Sequence, residues 1–408
     1  MELTPVVVVG VLLWAALAVY GLSTLWWLFE ALVLARGWRA DDTTAWGLND
    51  VQVRVLTIDA EPVVQATVDA LPDAVGDVRV VAERDIDVDG ASVHVVPASF
   101  ECRATNKGRA VEWARRHVAC DREYVLYLDE DTIVTDFDGL PDADFVQFTE
   151  KPIYTGSRLA YLCEVFRAGY QYEQFGFHRL AYPPYAWGGG FAIRHAIEDE
   201  ITWDVPTITE DTNLVWRAAD RYDLTYRIVD ARFRNQAPPS LRSLVNQRRR
   251  WLSGTLADDH MLPIAYRPLH VTRVVAWAFS PLVPVLVAAA YLLPGTAPGV
   301  ELYGAVSTAL LAVLFVYMLG GVVAYDKHPL LWPVFLLLTP LAVVLHAAGA
   351  LWAVVSPVER FEVTEKVTPD RIERVHGGLE AGDLSAHDGT ERLVRDRGDR
   401  FGGTVFDD

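Results

Sequence analysis

The chain has 408 residues, 51% of them hydrophobic, and carries 54 acids against 36 bases for a formal charge of −18. Such a balance excludes a protein that wraps nucleic acid, because phosphate backbones are held by clustered positive charge. Lysines are confined to Lys107, Lys151, Lys327 and Lys366, and this acid-rich, lysine-poor surface beside long apolar runs points to a membrane protein from a high-salt cytoplasm.

Val6 to Leu34 is almost uninterrupted apolar sequence, with one acid, Glu30, near its end. That length spans a bilayer. No basic stretch precedes it and no small-residue cleavage site follows, so it reads as an anchor rather than a secretory signal. Arg36 and Arg39 come next, which by the positive-inside rule places the following segment in the cytoplasm and the N-terminus outside. The expected layout is an anchor over 1–44, a soluble domain over 45–256, interface and membrane helices over 257–356, and a charged tail over 357–408.

The soluble stretch has the texture of an α/β domain. Val51–Ile58, Asp77–Ala82, Val93–Val96 and Tyr124–Leu128 read as strands, and Pro62–Leu71 and Lys107–Val118 as helices. Strands alternating with helices imply a mostly parallel sheet with its sites at the carboxyl ends of the strands. Cys102, Cys120 and Cys163 have neither paired spacing nor an even number, as expected of reduced thiols. Tyr124–Leu128 stops on Asp129-Glu130-Asp131, where carboxylates at i and i+2 could share one divalent cation and leave room for a diphosphate. Taken alone, the same acids suit a solvated turn.

Arg158–Phe175 reads as an aromatic-rich helix, and Gly188-Gly189-Gly190 could let backbone approach a ligand before the strand Phe191–Arg194, or simply turn. Thr209-Glu210-Asp211 heads a helix, Thr212–Ala219, where acids also serve as ordinary caps. Leu241–Leu252 is a basic amphipathic helix, suited equally to anionic head groups. Val271–Leu293 and Leu302–Tyr325 each suffice to span. Pro329–Val355 is uncharged but interrupted by Pro333 and Pro340. Beyond about Pro369 the composition predicts disorder.

Read together, Asn106-Lys107-Gly108, Asp129-x-Asp131, Thr209-Glu210-Asp211 and Gln247-x-x-Arg250-Trp251 resemble, in their order, a family 2 glycosyltransferase of the cellulose synthase and hyaluronan synthase kind. A closer likeness is to egghead-type β-1,4-mannosyltransferases, through Val96-Pro-Ala-Ser-Phe100, Thr105-Asn-Lys-Gly-Arg-Ala110, Leu128-Asp-Glu-Asp-Thr132, Asn235-Gln-Ala-Pro238 and Gln247-Arg-Arg-Arg-Trp-Leu252. The resemblance implies a GT-A-type α/β domain between membrane helices, with a GDP- or UDP-hexose as donor and a lipid-linked or glycan acceptor. It implies that Asp129 and Asp131 hold Mg²⁺ or Mn²⁺ and the donor diphosphate, that Lys107 and Arg250 neutralise phosphate, with Gln247 beside them, and that Asp211, with Glu210, is the catalytic base. Trp251 and Gly188 to Gly190 would face the acceptor. Phe361-Glu-Val363-Thr364-Glu-Lys366 resembles a gating loop whose Thr364 and Lys366 reach the diphosphate.

That loop must lie on the donor's side, so Pro329–Val355 is expected to re-enter the cytoplasmic interface rather than cross. The pattern also departs from the family: Asp59-Ala60-Glu61 stands where an Asn-Glu pair is usual, and the acid after the second strand is Glu83. Both positions usually touch the nucleotide base, so GDP and UDP stay open. The alternatives are a processive polysaccharide synthase and, in another class, a non-catalytic scaffold or transporter. A transporter would need functional charge within the spans, where His346 is the main polar residue.

Overall fold

The structure, a computed structural model, describes residues 5–38, 44–292, 299–358 and 364–380. The chain opens with α1 (Pro5–Phe29), whose end continues as a π-helical turn at Glu30–Leu34. It then folds β1 (Val51–Thr57), α2 (Glu61–Asp69), β2 (Val78–Ala82), β3 (Ser92–Val95), α3 (Lys107–His117), β4 (Tyr124–Asp129), β5 (Phe145–Glu150) and α4 (Arg158–Tyr170). Next come β6 (Phe191–Arg194), α5 (His195–Ile201), α6 (Glu210–Arg221), β7 (Tyr226–Phe233) and α7 (Leu241–Asp258). The apolar half holds α8 (Arg267–Ala278), α9 (Val283–Leu292), α10 (Val300–Ala324), α11 (Trp332–Leu337) and α12 (Thr339–Val355), followed by α13 (Pro369–Glu380).

The strands form one seven-stranded sheet in the order β3-β2-β1-β4-β6-β5-β7. Only β6 runs antiparallel to its neighbours, so the sheet is mostly parallel, as the alternation of strands and helices predicts. Both faces are covered. Val125 and Tyr127 of β4 pack with Trp113 of α3 and Leu214 of α6, while Tyr124, Leu126 and Leu128 pack on the other face with Val64 and Val68 of α2. Burial on both faces is why these strands read as continuous apolar runs. The sequence reading missed β5 and β7; β7 carries Arg227, Asp230 and Arg232 at the sheet edge, which breaks the apolar signal.

Among the described residues two helices, Val7–Leu34 and Val300–Ala324, are long and apolar enough to cross a membrane, and two bent pairs would bring the number to four. Val271–Leu293 is not one straight helix. Arg267–Ala278 and Ser280–Leu292 meet at 61°, where Pro281 removes a backbone donor. Pro329–Leu337 and Thr339–Val355 meet at 59°, as the prolines predict. Both ends of this second pair contact the sheet domain: Asp326 before it pairs with Lys151 at 2.8 Å, and Ser356 after it accepts from Arg249. Between those ends the pair packs into the helical bundle through Trp332, Phe335, Ala342 and Val343.

Leu162, Val165 and Phe166 of α4 share one apolar core with α1 and α10. The crossing is close because it is built on glycine. A Cβ on Gly169 would overlap the Tyr317 carbonyl, and one on Gly321 the Val165 carbonyl. Small residues at a crossing let helix backbones approach closely.

Residues 369–380 form a helix instead of the expected disordered tail. Pro369 at its start and Asp370 in its first turn are helix-initiating residues, and His376 contacts the Tyr154 carbonyl at 2.9 Å. Arg39, Phe361, Val363 and the tail beyond 380 lie outside the described residues.

Gly169→Leu should separate α4 from α10 and lower stability by about 2 kcal/mol or more. Gly21→Ala, which has open space around it, should be neutral. Melting of the detergent-solubilised protein checks the pair, and equal melting of the two variants would refute this account of the crossing.

Candidate active site

The three acids after β4 divide their work. Glu130 turns inward, accepting from the Thr57 hydroxyl at 2.5 Å, while its backbone carbonyl accepts from Thr67 at 2.7 Å. That bracing aims Asp129 and Asp131 into a cavity of about 670 Å³. Asp129 pairs with Lys107 at 2.7 Å, and Asp131 with Lys366 at 2.6 Å. The Gln236 backbone N–H donates to Asp131 at 2.9 Å, and the Gln236 side chain bonds both the N–H and the carbonyl of Val367. The segment after the last apolar helix is thereby tied to the strand end, with Thr364 in the cavity lining.

Lys107 heads α3 because Asn106 turns the chain at φ +52°, a conformation that asparagine tolerates better than most residues. Its ammonium also lies 3.3 Å from Glu210. Burial works against its charge, but Asp129, Glu210 and Asp211 hold it protonated, with its pKa above the ordinary lysine value. Burial likewise resists ionisation of Asp129, yet Lys107, Lys366 and Arg250 overcome it and hold its carboxyl below the usual range.

Glu210 and Asp211 open α6, and Asp211 accepts from the Thr212 N–H at 2.7 Å, so the ordinary capping role is present. Both also line the cavity. Thr207 and Thr209, just ahead of them, are pinned to Asp258 of α7 at 2.5 and 3.1 Å. Burial, and next the adjacent Glu210, push the Asp211 carboxyl up to about 7, against the opposing pull of Lys107.

The glycine run works by close approach. A Cβ on Gly188 would strike the Lys107 ammonium, with Asp129 at 3.5 Å and Asp211 at 3.6 Å, and one on Gly189 would strike Asn235 and Glu150. Gly190 differs: it faces Phe233 and is not part of the lining. On α7, Gln247, Arg250 and Trp251 line the cavity, whereas Arg248 is buried, pairs with Glu164 and lies 4.1 Å from the Trp251 ring centre. Glu83 lines the cavity and is held by Arg109 at 2.9 and 3.1 Å. Glu61 lies outside the cavity, exposed at the start of α2, where it accepts from the Asp87 N–H at 3.1 Å.

Several lining residues were not anticipated. Glu150 ends β5 as Asp129 ends β4, and Phe145-Val-Gln-Phe-Thr-Glu150 repeats the pattern of an apolar strand closing on an acid, a signal that was available. Arg167, Tyr185, Trp187, Asn235, His270, Arg273 and Trp277 also line the cavity. Asn235 stands in the Asn235-Gln-Ala-Pro238 stretch, but nothing local marks the others, because they come together from separate helices and loops. Among the described residues no three His, Cys, Asp or Glu side chains gather as a complete metal site. Asp129 and Asp131 are a pair of hard oxygen donors that could share a cation whose other ligands are phosphate and water, the habit of Mg²⁺.

Because the folded Asp211 keeps its proton to about pH 7 against an ordinary 3.8, the unfolded chain releases that proton first as pH rises. Asp211 therefore costs stability increasingly from about pH 4 to pH 7, and the cost is complete above that. Asp211→Asn should melt roughly 2–4 °C higher than wild type at pH 8, with the gain shrinking toward pH 4. A melting series across pH checks this, and a pH-independent difference would refute it.

The profile described as "Glycosyl transferase family group 2" matches residues 124–354. Beta-1,4-mannosyltransferase egh of Drosophila melanogaster is 24% identical over 306 residues, covering 67% of this chain and 66% of that protein, so the chain spans just under two thirds of that relative's length. The solved mannosyltransferase PcManGT from Pyrobaculum calidifontis, in complex with GDP-Man and Mn²⁺, aligns over 83% of this chain and 99% of its own at 16% identity and a TM-score of 0.48. Glucosyl-3-phosphoglycerate synthase from Mycobacterium tuberculosis, with Mn²⁺ and UDP-Glc, aligns over 55% of this chain and 88% of its own at 14% identity and a TM-score of 0.36. More than half of the chain matches the family profile, and the protein belongs to glycosyl transferase family group 2.

Proposed function

We propose that this protein is a membrane-bound inverting hexosyltransferase that moves mannose, or a related hexose, from a GDP- or UDP-sugar to a hydroxyl of a lipid-linked or glycolipid acceptor, forming a β-linkage. The supporting observation is that Lys107, Asp129, Asp131, Asp211, Arg250 and Lys366 converge on one cavity whose far wall is made by α8 and α12. The β-1,4-mannosyltransferase relative supports the sugar.

In this reading the acceptor oxygen attacks the anomeric carbon as its bond to the diphosphate breaks, with inversion. The acceptor proton passes to the Asp211 carboxylate, with Glu210 beside it. Negative charge builds on the leaving diphosphate, where Lys107, Lys366 and Arg250 supply positive charge in a partly water-excluded site. Asp129 and Asp131 would hold Mg²⁺ or Mn²⁺, which supplies further neutralisation of that diphosphate. Gln247 and Thr364 line the diphosphate side, Glu83 lies nearer the nucleotide, and Trp251 with Gly188 and Gly189 faces the acceptor.

The membrane assignment rests on the outward faces of the apolar helices. Leu12, Leu22, Leu25, Leu302, Tyr291 and Leu292 are between 59% and 84% exposed, a surface that is unfavourable in water. In this reading the sheet domain faces the cytoplasm, as Arg36 after the first apolar helix favours, and the pairing of Lys366 with Asp131 supports the last segment lying on the same side. With α11 and α12 folding back, α1, the α8–α9 pair and α10 remain to cross, few for a polymer channel. A single addition is therefore favoured over processive synthesis.

Purified protein should release nucleoside diphosphate from one of a panel of GDP- and UDP-sugars, and chelation of divalent cations should stop it. Asp129→Asn should lose the metal response, and Asp211→Asn should bind donor while transfer falls about 10²- to 10⁴-fold. The rate should rise with pH through about 7, because the base form of Asp211 is lost below that. Wild-type transfer by Asp211→Asn would remove Asp211 as the base, and no release from any donor would remove the proposal itself.

A further inference from the structure

The cavity has two ends of different chemistry. Toward β4 it carries lysines on carboxylates. Toward α8 and α12 the wall is aromatic, and its cations are already committed. Arg167 is held by Glu150 at 2.9 Å and Glu164 at 2.6 Å. Arg273 is held by Glu173 at 2.6 Å and by Glu30. Both arginines are thus already paired, so a phosphate entering this end would have to break an existing ion pair to reach either guanidinium.

Unsatisfied hydrogen-bonding groups of the cavity lining point to a different ligand. The Trp187 and Trp277 indole N–H groups, the Asn235 carbonyl oxygen and the His270 Nε2 are buried and have no protein partner among the described residues. All four residues line the cavity. The His270 ring is fixed through Nδ1 on Asp259 at 2.7 Å, so its other nitrogen cannot turn away to find one. Buried polar atoms are ordinarily paired, and leaving several unpaired is costly unless a ligand completes them. Aromatic faces interleaved with donors and acceptors suit an uncharged sugar, whose hydroxyls both give and take hydrogen bonds.

Glu150 is the anchor of that arrangement. It lies beside Gly189, one residue along from Gly188 at Asp129 and Asp211, and Asn235 donates to it at 3.3 Å. Burial raises the Glu150 carboxyl, with Arg167 pulling the other way. A carboxyl so placed next to the transfer point can take hydrogen bonds from neighbouring hydroxyls of one ring. We infer that Glu150 and Asn235 read the acceptor, selecting a sugar-headed lipid over a lipid phosphate.

This rests on the glycosyl-transfer reading, and the experiment separates the two. Full-length protein in lipid nanodiscs is given donor with dodecyl glucoside, dodecyl mannoside or dodecyl phosphate. Binding of each lipid without donor is followed by saturation-transfer NMR. Turnover and binding are expected with a glycoside and not with the phosphate. Glu150→Gln should raise the acceptor KM about 10- to 100-fold while nucleotide affinity stays at the wild-type value, which also reports that the variant is folded. Asn235→Ala should move the acceptor KM in the same direction and serves where Glu150→Gln fails to fold. An unchanged acceptor KM in the folded variants, or equal use of dodecyl phosphate, overturns the inference. Glycoside binding that depends on Glu150 without any turnover would sink the transferase reading and leave this one standing.

Discussion

Carboxylates cannot be crowded out of bulk water unless cations come with them. At the carboxyl end of β4 the chain gathers Asp129, Asp131, Glu210 and Asp211 around one cavity, and it brings Lys107 from α3 and Lys366 from beyond the last apolar helix to meet them. The compensation is incomplete. Burial, and next the adjacent Glu210, fall on Asp211, whose carboxyl keeps its proton to about pH 7. A site left under-neutralised in this way is poised to take up a further cation or give up a proton, and that residual imbalance is what the chemistry draws on.

The same constraint organises the junction between the sheet domain and the apolar helices. Glu164, Arg167, Arg248 and Glu150 form a buried chain of alternating charge running from α7 across α4 to the end of β5. It sits directly beside the glycine crossing of α4 on α10, so the two halves are joined by a dry backbone contact next to a polar web. Neither half has a complete surface without the other. The cavity belongs to both.

How far the sequence could be read follows from the range of each interaction. The sheet, its parallel character and most strands were legible because burial on both faces writes continuous apolar runs, as in Tyr124–Leu128. The site was legible where a motif sits at the end of an element: Asp129 and Asp131 after β4, Glu210 and Asp211 at the head of α6, Lys107 at the head of α3. Gly190 and Glu61 show the limit, since adjacency to a motif does not decide which way a residue faces. The bend between α8 and α9 and the helix at 369–380 were hidden because prolines and charges were weighed as composition rather than as turn and cap signals. The pairing of Arg248 with Glu164, 84 residues apart, leaves no local trace at all.

Lys366 reaches Asp131 across 235 residues of chain. A ribosome adding about 5–20 residues each second would need tens of seconds between making the one and making the other. Throughout that interval the nascent sheet domain holds its acids without their second lysine, while α8 to α12 are still being made. The pocket is finished only when the final helices have packed, so a chain cut short before them lacks one wall of the cavity and the lysine on Asp131.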